Sequence, residues 1–217
     1  MHILGTTNSI FNQFIAEIRD ESIQTDPLRF RRNLERTGEI FAYEISKVLD
    51  YKPKNVVTPL GSLDIPLIQD ELVLGTILRA GLPLHQGLLN YFDRAENAFI
   101  SAYRKHEKNT SSFTIKLEYL SSPDLEGKVL IVSDPMLATG ASMLKVLEAL
   151  ILLGKPKHIH IVSLIGSKEG VQTLKKGLKF NSYSLWLGAL DDELTATSYI
   201  VPGLGDAGDL AYGPKDN

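Results

Sequence analysis

The chain has 217 residues, of which 43% are hydrophobic and 23% charged, and its 23 Lys and Arg against 26 Asp and Glu give a net charge of −3. This is the composition of an ordinary globular chain, and it excludes both the low-hydrophobicity, high-charge pattern of disordered sequences and a generically basic nucleic-acid binder. With no cysteine, disulfides, thiolate metal sites and cysteine nucleophiles are excluded as well.

From the start, Met1 to Asp20 mixes polar and apolar residues and lacks the basic segment and apolar core of a signal peptide. The longest apolar run, Ala149 to Leu153, is far shorter than the roughly 20 residues that span a bilayer, so a cytoplasmic protein is expected, without membrane or nucleic-acid partners. Asp26 before Pro27 predicts a helix start, because an N-cap carboxylate accepts an orphan N–H and proline at the first helical position loses no bond. The helix is expected to reach about Leu49, with Phe30, Leu34, Phe41, Ile45 and Val48 on one apolar stripe. Arg29, Arg32 and Arg36 share another face, suited to a phosphate or RNA or, more plainly, to solvent or a neighbouring subunit.

Beyond Lys54, short apolar runs alternate with helical stretches. Leu72–Leu78, 98–103, Val129–Ser133 and 159–165 read as strands, and 143–153 and 167–176 as helices. Such alternation predicts an α/β fold with a mainly parallel sheet flanked by helices. Phe113, Ile115, Leu117 and Tyr119 alternate with polar residues, as in a strand with one wet face, antiparallel or at an edge. The polar stretch 104–112 before it reads either as a loop beside an active site or as an idle hairpin connection. A single domain over 1–217 is expected, with a helical segment over 1–50 and a catalytic core over 51–217.

Chemistry concentrates in three segments. In KVLIVSDPMLATGASM, 128–143, a buried strand leads through Asp134 to Ala138, Thr139, Gly140, Ala141 and Ser142 at a helix start. Unpaired N–H groups, the helix dipole and two hydroxyls make an anion site there, and Asp134 can accept bonds from two sugar hydroxyls: a cradle for ribose 5-phosphate. The plainer alternative is a strand turning into a helix with Asp as a local cap. In ILRAG, 77–81, Arg79 follows a strand end, where its fork suits a pyrophosphate; Arg104 and, more weakly, Lys116 are similar cases. In YIVPGLGDAGDLAYG, 199–213, glycines expose backbone that can read a pyrimidine, and Asp206 and Asp209 offer hard oxygen ligands for magnesium. His158 and His160 alternate on one strand and read as a surface or edge-strand pair, since no third metal ligand converges in sequence.

With DPMLATG at 134–140, YIVPGLGDAGD at 199–209, ILRAG at 77–81, AYR at 102–104 and AYE at 42–44, the chain resembles the uracil phosphoribosyltransferases, of the type I phosphoribosyltransferase fold, over nearly its whole length. The resemblance implies transfer of ribose 5-phosphate from phosphoribosyl pyrophosphate (PRPP) to uracil, giving UMP and pyrophosphate with Mg2+, in pyrimidine salvage. It assigns Arg79, Arg104, Asp134 and Asp206 to catalysis, and these four with Pro135, Met136, Leu137, Ala138, Thr139, Gly140, Ala141 and Ser142 to the donor. Ile200, Gly205, Asp206 and Ala207 would bind uracil, and magnesium would sit near Asp206 through water, without direct protein ligands. A mobile hood loop at 105–112, a homodimer or homotetramer, and a GTP effector are further expectations. Three departures concern the same loops: Ala141 stands where the family has a second glycine, Pro83 replaces a glycine after RAGL, and Leu210 replaces an arginine after GDAGD. A different class of function, a regulatory protein that senses UMP and controls RNA, would need a basic face outside the pocket.

Overall fold

The computed structural model describes residues 1–106 and 113–215, and of these all but the side chains of 103–106 and 113–115. In chain order the elements are β1 (His2–Ile3), α1 (Ile10–Arg19), α2 (Pro27–Ser46), β2 (Tyr51–Thr58), β3 (Gly61–Ile68), β4 (Leu72–Leu78), α3 (Gly81–Tyr91), β5 (Glu96–His106), β6 (Phe113–Ser121) and β7 (Val129–Ser133). They continue with β8 (Met136–Leu137), α4 (Ala141–Ile151), β9 (His158–Ser167), α5 (Lys168–Gly177), β10 (Tyr183–Asp191), β11 (Glu193–Leu194), β12 (Ile200–Val201) and α6 (Ala207–Tyr212).

The main sheet runs β1-β10-β9-β7-β4-β5-β6, with β8 added to the end of β9. Every pairing in it is parallel except β5 with β6, so the alternating segment is the expected antiparallel edge strand, but a β-bulge opposite Ser101 and Ala102 breaks the alternation, so that Leu117 and Leu120 pack inward and Tyr119 is 54% exposed. The central strands are buried on both faces, as a parallel sheet under two helix layers requires. Along β7, Val129 and Ile131 pack with α1, α2, α3 and α6, whereas Leu130 and Val132 pack with α4 and α5. Each such fully buried aliphatic side chain contributes about 1.5 to 3 kcal/mol.

The Asp26 carboxylate caps α2 by accepting the N–H groups of Leu28 and Arg29 at 2.9 and 3.1 Å, as the Asp-Pro pair predicts. The stripe of Phe30, Leu34, Phe41 and Ile45 is buried, but α2 ends at Ser46 and Val48 is 54% exposed. Past the last regular turn the 3.6-residue period no longer dictates which way a side chain points. The arginine trio is not an open basic face either. Arg29 pairs with Glu17 of α1 at 2.8 Å, Arg32 with Glu35 at 2.5 Å, and Arg36 bonds Asn33 at 3.0 Å while lying 5.3 Å from the Phe14 ring centre. The Arg29–Glu17 and Arg36–Phe14 contacts tie α1 to α2, and two of the three arginines are paired with carboxylates.

The histidine pair is also placed differently from its expectation. His158 and His160 lie on β9, a central strand, and buried His160 accepts the Trp186 indole N–H at 3.0 Å. Burial holds its pKa down to about 3, so the ring stays neutral as that acceptor.

Between α2 and β4 stands a two-stranded antiparallel hairpin, β2 and β3, on which no regular element was expected. Its register runs from Tyr51 opposite Ile68 to Thr58 opposite Gly61, and it forms its own sheet. Lys157 clasps its base by pairing with Asp50 at 2.6 Å and with Asp70.

Candidate active site

The three segments singled out by sequence meet along the carboxyl edge of the parallel strands, where ligands bind in α/β sheets. Asp134 follows β7 directly. Its N–H bonds the Val162 carbonyl of β9 at 3.0 Å, which fixes its backbone, and its carboxylate accepts the Met136 N–H. Although part of the residue still reaches solvent, the carboxyl group itself is enclosed, and desolvation pushes its pKa up to about 7, against the smaller lowering effect of the Met136 bond. When ionised, this group is an acceptor that water solvates poorly.

The loop from Pro135 to Gly140 is held open from below. Its β8 segment pairs with Ile165 and Gly166, and the Ser167 hydroxyl donates to the Ala138 carbonyl at 2.5 Å while accepting the Gly170 N–H at 2.9 Å. Ser167 caps α5 and braces the Pro135–Gly140 loop at once; the sequence marks it as a helix start and says nothing of the second task. Gly140, at φ 79°, forms the N-cap of α4, and a Cβ there would lie 2.7 Å from the Gly170 carbonyl oxygen. Only glycine suits that position. Ala141 is the first residue of α4, its N–H facing the Thr139 hydroxyl at 3.4 Å. The N–H groups of Ser142 and Met143 follow in the first turn, where no intrahelical acceptor exists. An anion finds donors and the positive end of an 11-residue helix dipole there.

Arg79 lies between the end of β4 and the start of α3, after a cis peptide with Leu78. Gly81 packs so close to β7 that a Cβ would stand 3.2 Å from the Ser133 carbonyl oxygen, which sets the arginine loop beside Asp134. The guanidinium Nη2 donates to Asp209 at 3.0 Å and to the Gly213 carbonyl at 3.2 Å, so the arginine loop also touches the glycine-rich third segment.

That third segment is stiffened by a network that sequence reading missed. Arg19 grips both oxygens of Asp191 at 2.8 Å and the Gly203 carbonyl at 3.0 Å, and the Gly203 N–H returns to Asp191 at 2.9 Å. Arg31 bonds the Ala211 carbonyl at 2.6 Å, fixing the far end of α6. Ile200 is buried on β12, Gly205 takes φ 91°, and Ala207 opens α6. Asp206 is the α6 cap: its Oδ1 accepts the N–H groups of Gly208 and Asp209 at 2.8 and 3.0 Å, leaving the Ala207 N–H free of the cap. Asp209, which with Asp206 was read from sequence as offering hard oxygens for magnesium, pairs with Arg79 at 3.0 Å. Among the described residues no cluster of three metal-ligating side chains forms.

The backbone of Arg104 belongs to β5, but its side chain lies outside the described part of the molecule, as does the 107–112 stretch of the expected hood loop. Lys116 is exposed on β6. A cleft of about 510 Å3 between α2, α3 and β5 is lined by Leu28, Arg31, Pro83, His85 and Tyr212 among others, and none of the expected site residues borders it. Concavity alone does not mark the loop-built site.

A family model described as uracil phosphoribosyltransferase matches residues 6–214. The chain belongs to the uracil phosphoribosyltransferase family. A uracil phosphoribosyltransferase of Porphyromonas gingivalis is 55% identical over 212 residues, covering 98% of this chain and 97% of the relative. One from Methanothermobacter thermautotrophicus is 38% identical over 213 residues, covering 96% and 94%. Among solved structures, the AQ2163 protein from Aquifex aeolicus aligns with a TM-score of 0.85 at 28% identity over 97% of this chain and 98% of its own. A hypoxanthine phosphoribosyltransferase from Staphylococcus aureus, 15% identical with a TM-score of 0.50 over 76% of each chain, shares the fold.

Within this family's pattern the three departures become interpretable. Pro83 is the third residue of α3, not part of the arginine loop, and a first-turn proline gives up no intrahelical bond. Leu210 packs against the core from α6. Ala141 is helical, and Ser198 is the only non-glycine residue with positive φ among the described residues. Ala141→Gly is therefore expected to lower stability by about 0.5 to 1 kcal/mol, because glycine is the poorer helix former, and to leave donor affinity no better. Thermal melts and donor titrations check this; a variant both more stable and tighter-binding would show that the loop prefers positive φ at that position.

Proposed function

We propose that this chain transfers ribose 5-phosphate from phosphoribosyl pyrophosphate to N1 of uracil, releasing pyrophosphate, with the edge formed by Asp134, the α4 start, Arg79 and the 200–207 segment as its site. The observation that carries the assignment is the contact of Arg79 with Asp209 and Gly213, which brings a pyrophosphate-type arginine loop against the base-reading loop, while Gly81 abuts the strand that delivers Asp134.

In this reading the N–H groups of Ala138 to Ser142 and the Thr139 and Ser142 hydroxyls hold the 5-phosphate, with Pro135, Met136 and Leu137 shaping the loop. Asp134 accepts the ribose hydroxyls, Arg79 and Arg104 hold the leaving pyrophosphate, and backbone groups of Ile200, Gly205 and Ala207 read the base. No side chain forms a covalent bond. The reacting sugar passes through an oxocarbenium-like state, so rate comes from fixed geometry and from charge placed where it develops. Asp206 keeps one carboxylate oxygen beyond its helix cap, which suits a water-bridged cation better than direct coordination. Magnesium, bound with the donor, supplies positive charge to the pyrophosphate. The test is pyrophosphate release measured with the donor and each nucleobase in turn; release with uracil alone is expected, and release with a purine instead would overturn the assignment.

The same proposal covers the assembly. The hairpin exposes Val57 at 79%, Leu60 at 100% and Leu63 at 49%, an apolar surface that a lone two-stranded ribbon cannot bury within its own chain. A second copy is its partner in this reading, giving a homodimer or a homotetramer. Sedimentation of the wild type should show an oligomer that Val57→Ser with Leu60→Ser shifts towards monomer; an unchanged mass would place the interface elsewhere. The chain acts as one catalytic unit over 1–217, with 1–50 packed on the core through α2. A GTP effector is assigned to the cleft bordered by Arg31 and Arg32, and the chain to the cytoplasm, where its multiply charged donor, unable to cross a bilayer, is held.

A further inference from the structure

We propose that Asp209 is a positioning residue for Arg79: it orients the guanidinium towards the pyrophosphate and couples that arginine to the base loop. This rests on the reading of Arg79 as a donor ligand. The ion pair is 3.0 Å long, joins residues 130 positions apart, and is about one-third exposed on both sides, 36% for Arg79 and 40% for Asp209. Arg79 has no other acidic partner among the described residues. Its Nε is buried without a hydrogen-bond partner, so the side chain is oriented by what Nη2 holds, namely the Asp209 carboxylate and the Gly213 carbonyl at 3.2 Å. With Nη2 engaged there, Nη1 remains to meet an anion. A guanidinium delocalises its charge over a planar fork and keeps several donors after one is committed, so one arginine can serve a carboxylate and a phosphate from different sides.

Asp209 is not needed to start α6, since the side chain of Asp206 caps that helix and Asp209 contributes only its backbone N–H there. Loss of its side chain should therefore leave the base loop in place and free the Arg79 rotamer. The expected cost falls on the donor. A charge-assisted hydrogen bond at a partly exposed site corresponds to roughly a tenfold effect.

The decisive experiment is a double-mutant cycle on steady-state kinetics with Arg79→Ala, Asp209→Ala and both together. Asp209→Ala should raise KM for the donor roughly tenfold and change KM for uracil less than about twofold, and Asp209→Asn, which keeps an acceptor oxygen, should recover most of the loss. In the Arg79→Ala background the Asp209 change should have no further effect on the donor. Additive effects, or a loss that falls on uracil, would show that Asp209 only supports α6 and would overturn the inference while leaving Arg79 in its role. An Arg79→Ala variant with unaltered donor KM would instead refute the site reading, and this inference with it. Should Asp209→Ala fail to fold, Asp209→Ser, whose shorter side chain does not reach the guanidinium, carries the same cycle, with the same requirement that its effect vanish when Arg79 is alanine.

Discussion

Cytosine is expected to react on the order of 10⁴-fold less efficiently than uracil, read as kcat/KM with a fixed donor concentration. Uracil presents an N3–H donor between two carbonyl acceptors, whereas cytosine presents a bare ring nitrogen and an amino group. The groups that would read this pattern are main-chain atoms of Ile200, Gly205 and Ala207, and their loop cannot rotate to suit the wrong base. Gly203 is tied through both its N–H and its carbonyl to the Asp191–Arg19 pair, and Ala211 is tied to Arg31. The Ala207 N–H, free of the Asp206 cap, offers a donor to a base carbonyl and has nothing to offer an amino group. Site groups left facing like groups without partners lose their hydrogen bonds with solvent and gain none from the base. Comparable turnover of cytosine or hypoxanthine would show that the base is read elsewhere.

Asp134→Asn is expected to lose at least roughly 100-fold in kcat/KM for the donor, because the ribose hydroxyls lose a charged acceptor in the reacting state. Asn fits the same space, and the backbone bond from the Asp134 N–H to Val162 does not depend on the side chain, so the fold should persist. The pH behaviour separates charge from shape. Burial raises the carboxyl from its ordinary 3.8 to about 7, so the free folded protein holds this proton more tightly than the unfolded chain does. Stability from this group therefore falls as pH rises from about 4 through 7, as the folded state is forced to carry a poorly solvated charge. Activity runs the other way, since the ionised form accepts the hydroxyls. Wild-type kcat/KM for the donor should climb with pH to a plateau above about 7, the variant should lack that limb, and above pH 7 the variant should melt no lower than the wild type. Near-normal activity in a folded variant would mean that the ribose is held by other groups.

The local folds of the three loops are legible in the sequence, because each is a contiguous string whose local physics is explicit. A buried run ending in Asp134 and opening through Thr139 and Gly140 into a helix specifies strand, loop and anion-binding helix start within the 128–143 stretch, and that is how it folds. Asp26 and Pro27 mark a helix start for equally local reasons, and alternation at 113–119 points to the antiparallel edge strand, although its face is interrupted at Tyr119 by a β-bulge. Tertiary structure decided what depends on residues far apart. Whether the His158 strand is an edge or a centre follows from strand order, which periodicity does not encode; its neighbours β7 and β10 bury it on both sides. The hairpin of Tyr51–Thr58 and Gly61–Ile68 was not anticipated although Leu63, Ile65 and Leu67 alternate with Asp64 and Pro66, because each strand carries a proline, Pro53 and Pro66, which argues against a strand, and because the ribbon buries almost nothing within its own chain. The partners of Asp191 and Asp209 lie 172 and 130 positions away, and a polar pair leaves no pattern in either segment until the fold brings the two together. Local sequence thus determined the strand, loop and helix start of each segment, while long-range packing determined that Arg79 faces Asp209, since only the assembled sheet sets the carboxyl ends of its strands side by side.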